Sequence, residues 1–194
     1  MPSIRAVVLA ACPSRRLDSP TQLMPAGERA LLARNAAEIC AAPVDGVAVV
    51  LGAEADECAR SLSGIPVTLL RNPDWSEGVA SSIRLATAWA ERAGASGLLL
   101  CLCDQVGLGT AHITRLVATH FATCRGLVAS SYRGALGAPA LFPRRLFPEL
   151  RALTGDQGAR SVIRSHLDAV PIDWPAGARD IDTPAGMTAC GHGG

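Results

Sequence analysis

Three carboxylates are placed for chemistry. Asp180 and Asp182 stand at alternate positions of RDIDTP, and Asp104 directly follows the run LLLCLC. If residues 180–182 are extended, both of their carboxylates face one side. Same-facing carboxylates suit a hard cation, and Mg2+ typically takes one or two of them together with substrate phosphates. A carboxylate behind six apolar or cysteine residues is costly to bury without a cation or a donor cluster. Simpler readings stand beside these: a helix-capping or turn aspartate at Asp104 and an Asp-Thr-Pro turn at Asp182, neither needing a metal.

The anion-binding candidates lie in three other stretches. In LAACPSRRLDSPTQLMP, Ser14, Arg15 and Arg16 could turn backbone amides and two guanidinium forks toward a triphosphate, since Arg grips phosphate bidentately. Cys12 and Pro13 oppose this: a Cβ limits close approach, and proline lacks an amide donor. An ordinary strand-to-helix connection remains the alternative. In NPDWSEGVASSIR, a helix opens on small hydroxyl residues, with Asn72 before it, Ser81 and Ser82 in its first turn and Arg84 one turn in. That start suits a phosphate, sugar or base; the alternative is a serine cap on a core helix. TGDQGAR repeats the pattern with Gly155, Asp156 and Arg160. Two anion-ready helix starts around carboxylates suggest a two-substrate site.

These residues need a frame. Short β-branched or leucine runs alternate with alanine-rich stretches of helical period, as in parallel strands joined by crossover helices. Strands are expected at Arg5–Ala10, Val47–Leu51, Val67–Arg71 and Leu98–Cys103, with helices near 30–41, 54–62 and 78–93. A helix near 110–123 leads to two extended segments, 126–132 and 137–143, that pair as a hairpin-like edge. Helices near 146–153 and 158–167 precede a late strand at 169–174. The expected architecture is an α/β, three-layer α/β/α sandwich with a mostly parallel sheet. It forms a single domain over 1–186, followed by a flexible tail, 187–194. Ligands of such sheets sit beyond the carboxyl ends of the strands, where Ser14 to Arg16, Asn72 with Asp74, Asp104, and Asp180 with Asp182 fall.

Composition narrows the partners. The 194 residues suffice to bury roughly 70% of the unfolded surface, and 49% of them are hydrophobic. A net charge of +1, with no long basic run, gives no electrostatic case for nucleic acid or an anionic membrane. No run of about 18 apolar residues offers a membrane span. All eighteen basic residues are arginine, so lysine chemistry is excluded. Seven scattered cysteines without a CxxC pair, and an N-terminal apolar run too short for a secretory signal, point to a reducing cytoplasm. Cys101 and Cys103, on one face of their strand, read as core packing.

Taken in order, VVLAA, SRRL, PTQLMP, NPDWSEGVASSIR, CDQ, GALGAPALF, LTGDQGARSVIRSH and DIDTP resemble the MobA-like nucleotidyltransferases, and within them the molybdenum cofactor cytidylyltransferases. The resemblance spans residues 4 to about 186. It implies a Rossmann-like nucleotidyltransferase fold that joins an NTP, CTP favoured, to a molybdopterin-type cofactor with Mg2+ and release of pyrophosphate. It also implies roles. Asp104, Asp180 and Asp182 would hold Mg2+, and Arg15, Arg16 and Asp104 would be catalytic. Ala10, Ala11, Cys12, Ser14, Arg15, Arg16, Thr21, Asn72, Ser81, Ser82 and Arg84 would bind the nucleotide. Gly155, Asp156 and Arg160 would face the acceptor. A molybdenum enzyme or its maturation chaperone is the implied protein partner.

The departures from the family pattern cluster in the first loop. The family's LAAG, SRRMG and PKQLLP glycines and lysine are here Cys12, Asp18 and Thr21. The histidine of GHP is Ala138, and the proline after CDQ is Val106. Loss of one such electrostatic stabiliser costs around 10²- to 10³-fold in rate, and only arginine could compensate. A homologue that binds cofactor or a partner enzyme without nucleotide transfer, and a transferase with a changed phosphate-bearing acceptor, are the two rival expectations.

Overall fold

In the computed structural model, residues 3–12, 20–124 and 126–178 are described. β1 (Ile4–Ala10) leads through a short turn and the two-residue ribbon β2 (Pro25–Ala26) and β3 (Arg29–Ala30) into α1 (Leu31–Cys40). β4 (Val47–Leu51), α2 (Ala55–Ser61), β5 (Thr68–Arg71), α3 (Val79–Arg92) and β6 (Gly97–Leu102) follow in strict alternation. The second half runs α4 (Thr110–Ala122), β7 (Val128–Tyr132), β8 (Ala135–Pro143), α5 (Phe147–Arg151), α6 (Arg160–Ser165) and β9 (Val170–Asp173).

The main sheet has the order β5-β4-β1-β6-β8-β7-β9. β8 alone runs against the others, pairing antiparallel with β6 and β7, while β7 and β9 pair in parallel. This is the mostly parallel α/β sandwich the periodicity predicts, and β7 and β8 form the expected hairpin. Strand limits differ from expectation by a residue: β6 ends at Leu102, because Cys103 and Asp104 enter a turn.

Alternation along the strands splits the core into two layers. From β1, Ile4, Ala6, Val8 and Ala10 pack with Leu32, Ala36 and Ile39 of α1, Cys58 of α2 and Ile113 and Leu116 of α4. Val7 and Leu9 face the other way, onto Ala80, Ile83, Ala86 and Ala90 of α3, Phe147 and Leu150 of α5 and Val162 and Ile163 of α6. Cys101 is fully buried in the first layer and Cys103 packs against it, as expected of core cysteines. Both layers are sealed on strands whose carboxyl ends all but one point the same way, and that edge carries the polar residues. No helix among the described residues is long and apolar enough to cross a membrane.

Candidate functional site

β1 and β6 are neighbours in register, Leu9 beside Leu102, and the chain turns away at the end of each. A cleft of about 130 Å³ opens there. Leu9, Ala11, Val79 and Leu102 give it apolar walls, and Cys12, Ser82, Cys103 and Asp104 supply oxygen and sulfur atoms. Four of the expected site residues, Ala11, Cys12, Ser82 and Asp104, thus come together from three separate elements. Ala10 ends β1 just beneath them, and Thr21 is buried in the turn Thr21–Leu23 without lining the cleft. Ser14, Arg15, Arg16, Asp18, Asp180 and Asp182 lie outside the described residues.

Buried carboxamides hold the two turns. Gln22, 2% exposed, donates through Nε2 to the carbonyls of Ala10 (3.3 Å) and Cys12 (2.7 Å), fixing the exit from β1. Asn35 of α1 donates through Nδ2 to Cys103 O and Gln105 O, each at 3.2 Å. Gln105 accepts from the Leu102 amide (3.2 Å) and donates to Ala138 O (2.7 Å). Asp104 does not cap a helix: α4 starts at Thr110, behind Gly109, and its first amide is held by Glu38 at 2.8 Å. Those bonds with Thr110 keep the Glu38 carboxyl below its usual range.

The helix start of α3 is organised around Asn72, 5% exposed. Its Oδ1 accepts the Asp74 amide at 3.0 Å, so its Nδ2 must face the serines, donating to Ser81 Oγ (2.9 Å) and Ser82 Oγ (3.0 Å). Ser81 Oγ donates in turn to Gly78 O at 2.8 Å. Gly78 is the N-cap residue, so neither serine caps the helix. Asn72 and Ser81 are the support; Ser82 is the member that reaches the cleft.

Beside it, the segments 74–84 and 153–157 are fastened together. Arg84 grips both oxygens of Glu77 and donates to Leu153 O at 2.9 Å, while the Gly155 amide reaches Glu77 Oε1 at 3.3 Å. Arg84 holds the Glu77 carboxyl below its usual pKa, and Glu77 raises that of Arg84. Gly78 has φ +124°, and a Cβ there would stand 2.4 Å from Gly155 O. Arg84 is therefore occupied within this joint, and exposed Asp156 flanks it. Arg160, at the start of α6, is exposed, with no hydrogen-bond or ion-pair partner among the described residues; its Nη2 lies 3.1 Å from where a Gly137 Cβ would be.

The donor set at Asp104 fits a hard cation. Burial pushes the Cys103 thiol well up, with the Asp104 charge adding to it, so Cys103 stays protonated and offers no thiolate. A carboxylate beside a protonated thiol suits Mg2+ or Mn2+ rather than a soft metal. Among the described residues no three His, Cys, Asp or Glu side chains cluster as a metal centre, and Asp104 is the carboxylate that lines the cleft.

Gln22, Asn35 and Gln105 were not among the expected site residues. A signal for Asn35 exists: Leu31, Leu32, Asn35, Ala36 and Ile39 share the buried stripe of α1, so a carboxamide stands where the helical period calls for an apolar residue.

The chain is similar over its length to known proteins. Nicotine blue oxidoreductase of Paenarthrobacter nicotinovorans is 28% identical over 94% of each chain. The crystal structure of the Rv0371c homologue from Mycobacterium sp. strain JC1 superposes with a TM-score of 0.78 at 30% identity, over 95% of this chain and 93% of that one. Rv0371c of Mycobacterium tuberculosis in complex with manganese gives 0.77 at 25% identity, over 97% of each. The family described as the MobA-like NTP transferase domain matches residues 6–170, and the chain belongs to that family.

Proposed function

We propose that this chain transfers a nucleotide from CTP to a molybdopterin-type cofactor, with Mg2+, in a reducing cytoplasm. The observation that supports the reading most is the cleft where Asp104 meets Ala11, Cys12 and Ser82 at the carboxyl ends of β1 and β6, in a chain of this family. An acceptor phosphate oxygen forms a bond to the α-phosphorus, the bond from that phosphorus to the β-phosphate bridge breaks, and pyrophosphate leaves with the electron pair. The protein's share is positioning and charge neutralisation. A bound Mg2+ would neutralise charge on the phosphates, held by Asp104 with Asp180 and Asp182.

The walls of Leu9, Ala11, Val79 and Leu102 suit a flat heterocycle, and Ser82 supplies a polar contact. Arg15 and Arg16 would meet the triphosphate; Ala10, Cys12, Ser14 and Thr21 would shape that loop, and Asn72 and Ser81 hold Ser82 in place. Arg84 would serve the nucleotide side through the Glu77 joint. Gly155, Asp156 and Arg160 would receive the acceptor, with the exposed guanidinium of Arg160 as its anion fork. The working unit is residues 1–186, and a molybdenum enzyme or its chaperone receives the product.

Two observations favour a second reading, cofactor or partner binding without transfer: Arg84 is taken up by Glu77, and Thr21 replaces the family's lysine. A changed phosphate-bearing acceptor is the third. Incubation with each NTP, Mg2+ and molybdenum cofactor is expected to release pyrophosphate fastest with CTP. No release with any NTP at high enzyme concentration, with calorimetric binding of the cofactor retained, selects the second reading. Release only with another phosphate-bearing acceptor selects the third. If the parent is inactive and Cys12→Gly, Asp18→Gly and Thr21→Lys together create activity, the first loop is the cause.

A further inference from the structure

Asp104 lies one residue beyond Cys103 in the turn that ends β6, outside the regular sheet ladder, so strand pairing does not set the direction of its carboxylate. The backbone before and after it is held from another layer. Asn35, fully buried on α1, sends both Nδ2 hydrogens to carbonyls that bracket Asp104: Cys103 O and Gln105 O, 68 and 70 residues away in sequence. The bond to Cys103 O fixes the peptide plane that leads into residue 104 and the bond to Gln105 O fixes the plane one residue beyond it, so the chain is held on both sides of Asp104 and the swing of its Cα–Cβ bond is restricted. Gln105 ties the same turn to β6 and β8 through Leu102 N and Ala138 O. Without Asn35 the turn keeps its ties to the sheet and the bond from Arg34 of α1 to Val106 O, but loses the two bonds that bracket Asp104. Asn35 Oδ1 is buried and finds no partner among the described residues. A leucine there would avoid that unpaired oxygen, so what the carboxamide contributes is its two donor bonds.

We propose that Asn35 is a positioning residue for the Asp104 carboxylate and through it sets the affinity of the cleft for a divalent cation. This rests on the reading of Asp104 as a metal ligand given above. Asn35 touches neither cation nor substrate; it acts through the backbone of the turn.

The test is Mn2+ binding to the full chain without nucleotide, followed by electron paramagnetic resonance. Asn35→Leu, with the same branching and number of heavy atoms but without donors, is expected to weaken Mn2+ binding about 10- to 100-fold, the usual effect of removing a support behind a metal ligand. Thr87→Val is the control: Thr87 is equally buried, and its Oγ1 bonds only Ile83 O within α3. It is expected to bind Mn2+ like the parent. Asp104→Asn is expected to weaken binding more than either, and adding Asn35→Leu to it is expected to change nothing further. Parent-like affinity in Asn35→Leu beside a weakened Asp104→Asn overturns the inference while leaving the metal reading standing. So does an equal extra loss in the double variant. Unchanged affinity in Asp104→Asn, or no Mn2+ binding by the parent, overturns the metal reading and this inference with it. Should Asn35→Leu fail to fold, Asn35→Ser, with a single shorter donor, decides in its place: intermediate affinity supports the inference and parent affinity overturns it.

Discussion

Replacing Asn72 with leucine tests how the site is built. The carboxamide makes three bonds at 2.9–3.0 Å, to Ser81 Oγ, Ser82 Oγ and the Asp74 amide. They are not equally costly to lose. Asp74 is exposed, so its amide regains water, and Ser81 keeps Gly78 O. Ser82, 2% exposed and bonded to Asn72, is left with a buried hydroxyl. A net bond contributes ~1 kcal/mol and a stranded buried group costs ~1–3 kcal/mol, so Asn72→Leu is expected to destabilise by about 2–4 kcal/mol. For a chain of this length that lowers the melting temperature by roughly 5–10 °C. Urea unfolding of parent, Asn72→Leu, Ser82→Ala and the double variant measures it. Removing both partners is cheaper than removing one, so Ser82→Ala on the Asn72→Leu background should recover about 1 kcal/mol. A loss below about 0.5 kcal/mol in Asn72→Leu, or strictly additive single effects, would refute the assignment of Asn72 as the buttress of the cleft.

Other outcomes follow from the same geometry. His112 stacks on Trp174 at 4.7 Å, and its Nε2 lies 2.7 Å from Ser130 Oγ, whose proton goes to Pro139 O. Nε2 therefore carries a proton, and burial, with Arg115 adding to it, lowers the ring's pKa from 6.5 to about 4, so it is neutral near pH 7. A depressed histidine pKa gives stability that is present above about 6.5 and lost as pH falls toward 4; between pH 7 and 5 the loss is ~2 kcal/mol. Urea titrations of His112→Gln should show that much less pH dependence, and an unchanged slope would be fatal to the idea. Gly78→Ala drives a Cβ to 2.4 Å from Gly155 O at φ +124°, so a loss of about 1–3 kcal/mol is expected by thermal unfolding. Glu77→Gln should leave the melting temperature within a few degrees, because the Arg84 pair is half-exposed. Amide exchange at Gly155 should nonetheless quicken; unchanged protection there would show that Glu77 does not hold that loop.

Much of this molecule was legible before any coordinates. The alternation of leucine and valine runs with alanine-rich helical stretches places nearly every element of the sandwich to within a few residues, because each strand and helix carries its own burial period. Asp104 could be singled out because a carboxylate behind an apolar strand stands where parallel sheets bind ligands. Arg84 was harder to read. Its type and place at a helix start suggest an anion ligand, and only the spatial arrival of Glu77 and Leu153 shows the guanidinium engaged inside a joint between two loops.

The amino-acid sequence by itself determined the layers, the strand ends at which chemistry can occur and the family to which the motifs belong, since all of these depend on local period and order. Tertiary structure alone decided which polar residues meet. Asn35 reaches across 68 residues to the turn of Asp104, and Gln22 folds back on the exit of β1. Hydrogen bonds between distant segments leave no periodic trace, because one buried carboxamide looks the same in a sequence whether it supports a site or merely fills a helix. The direction of each carboxylate and amide is set when the α1 layer closes on the sheet, and that packing depends on all the strands at once.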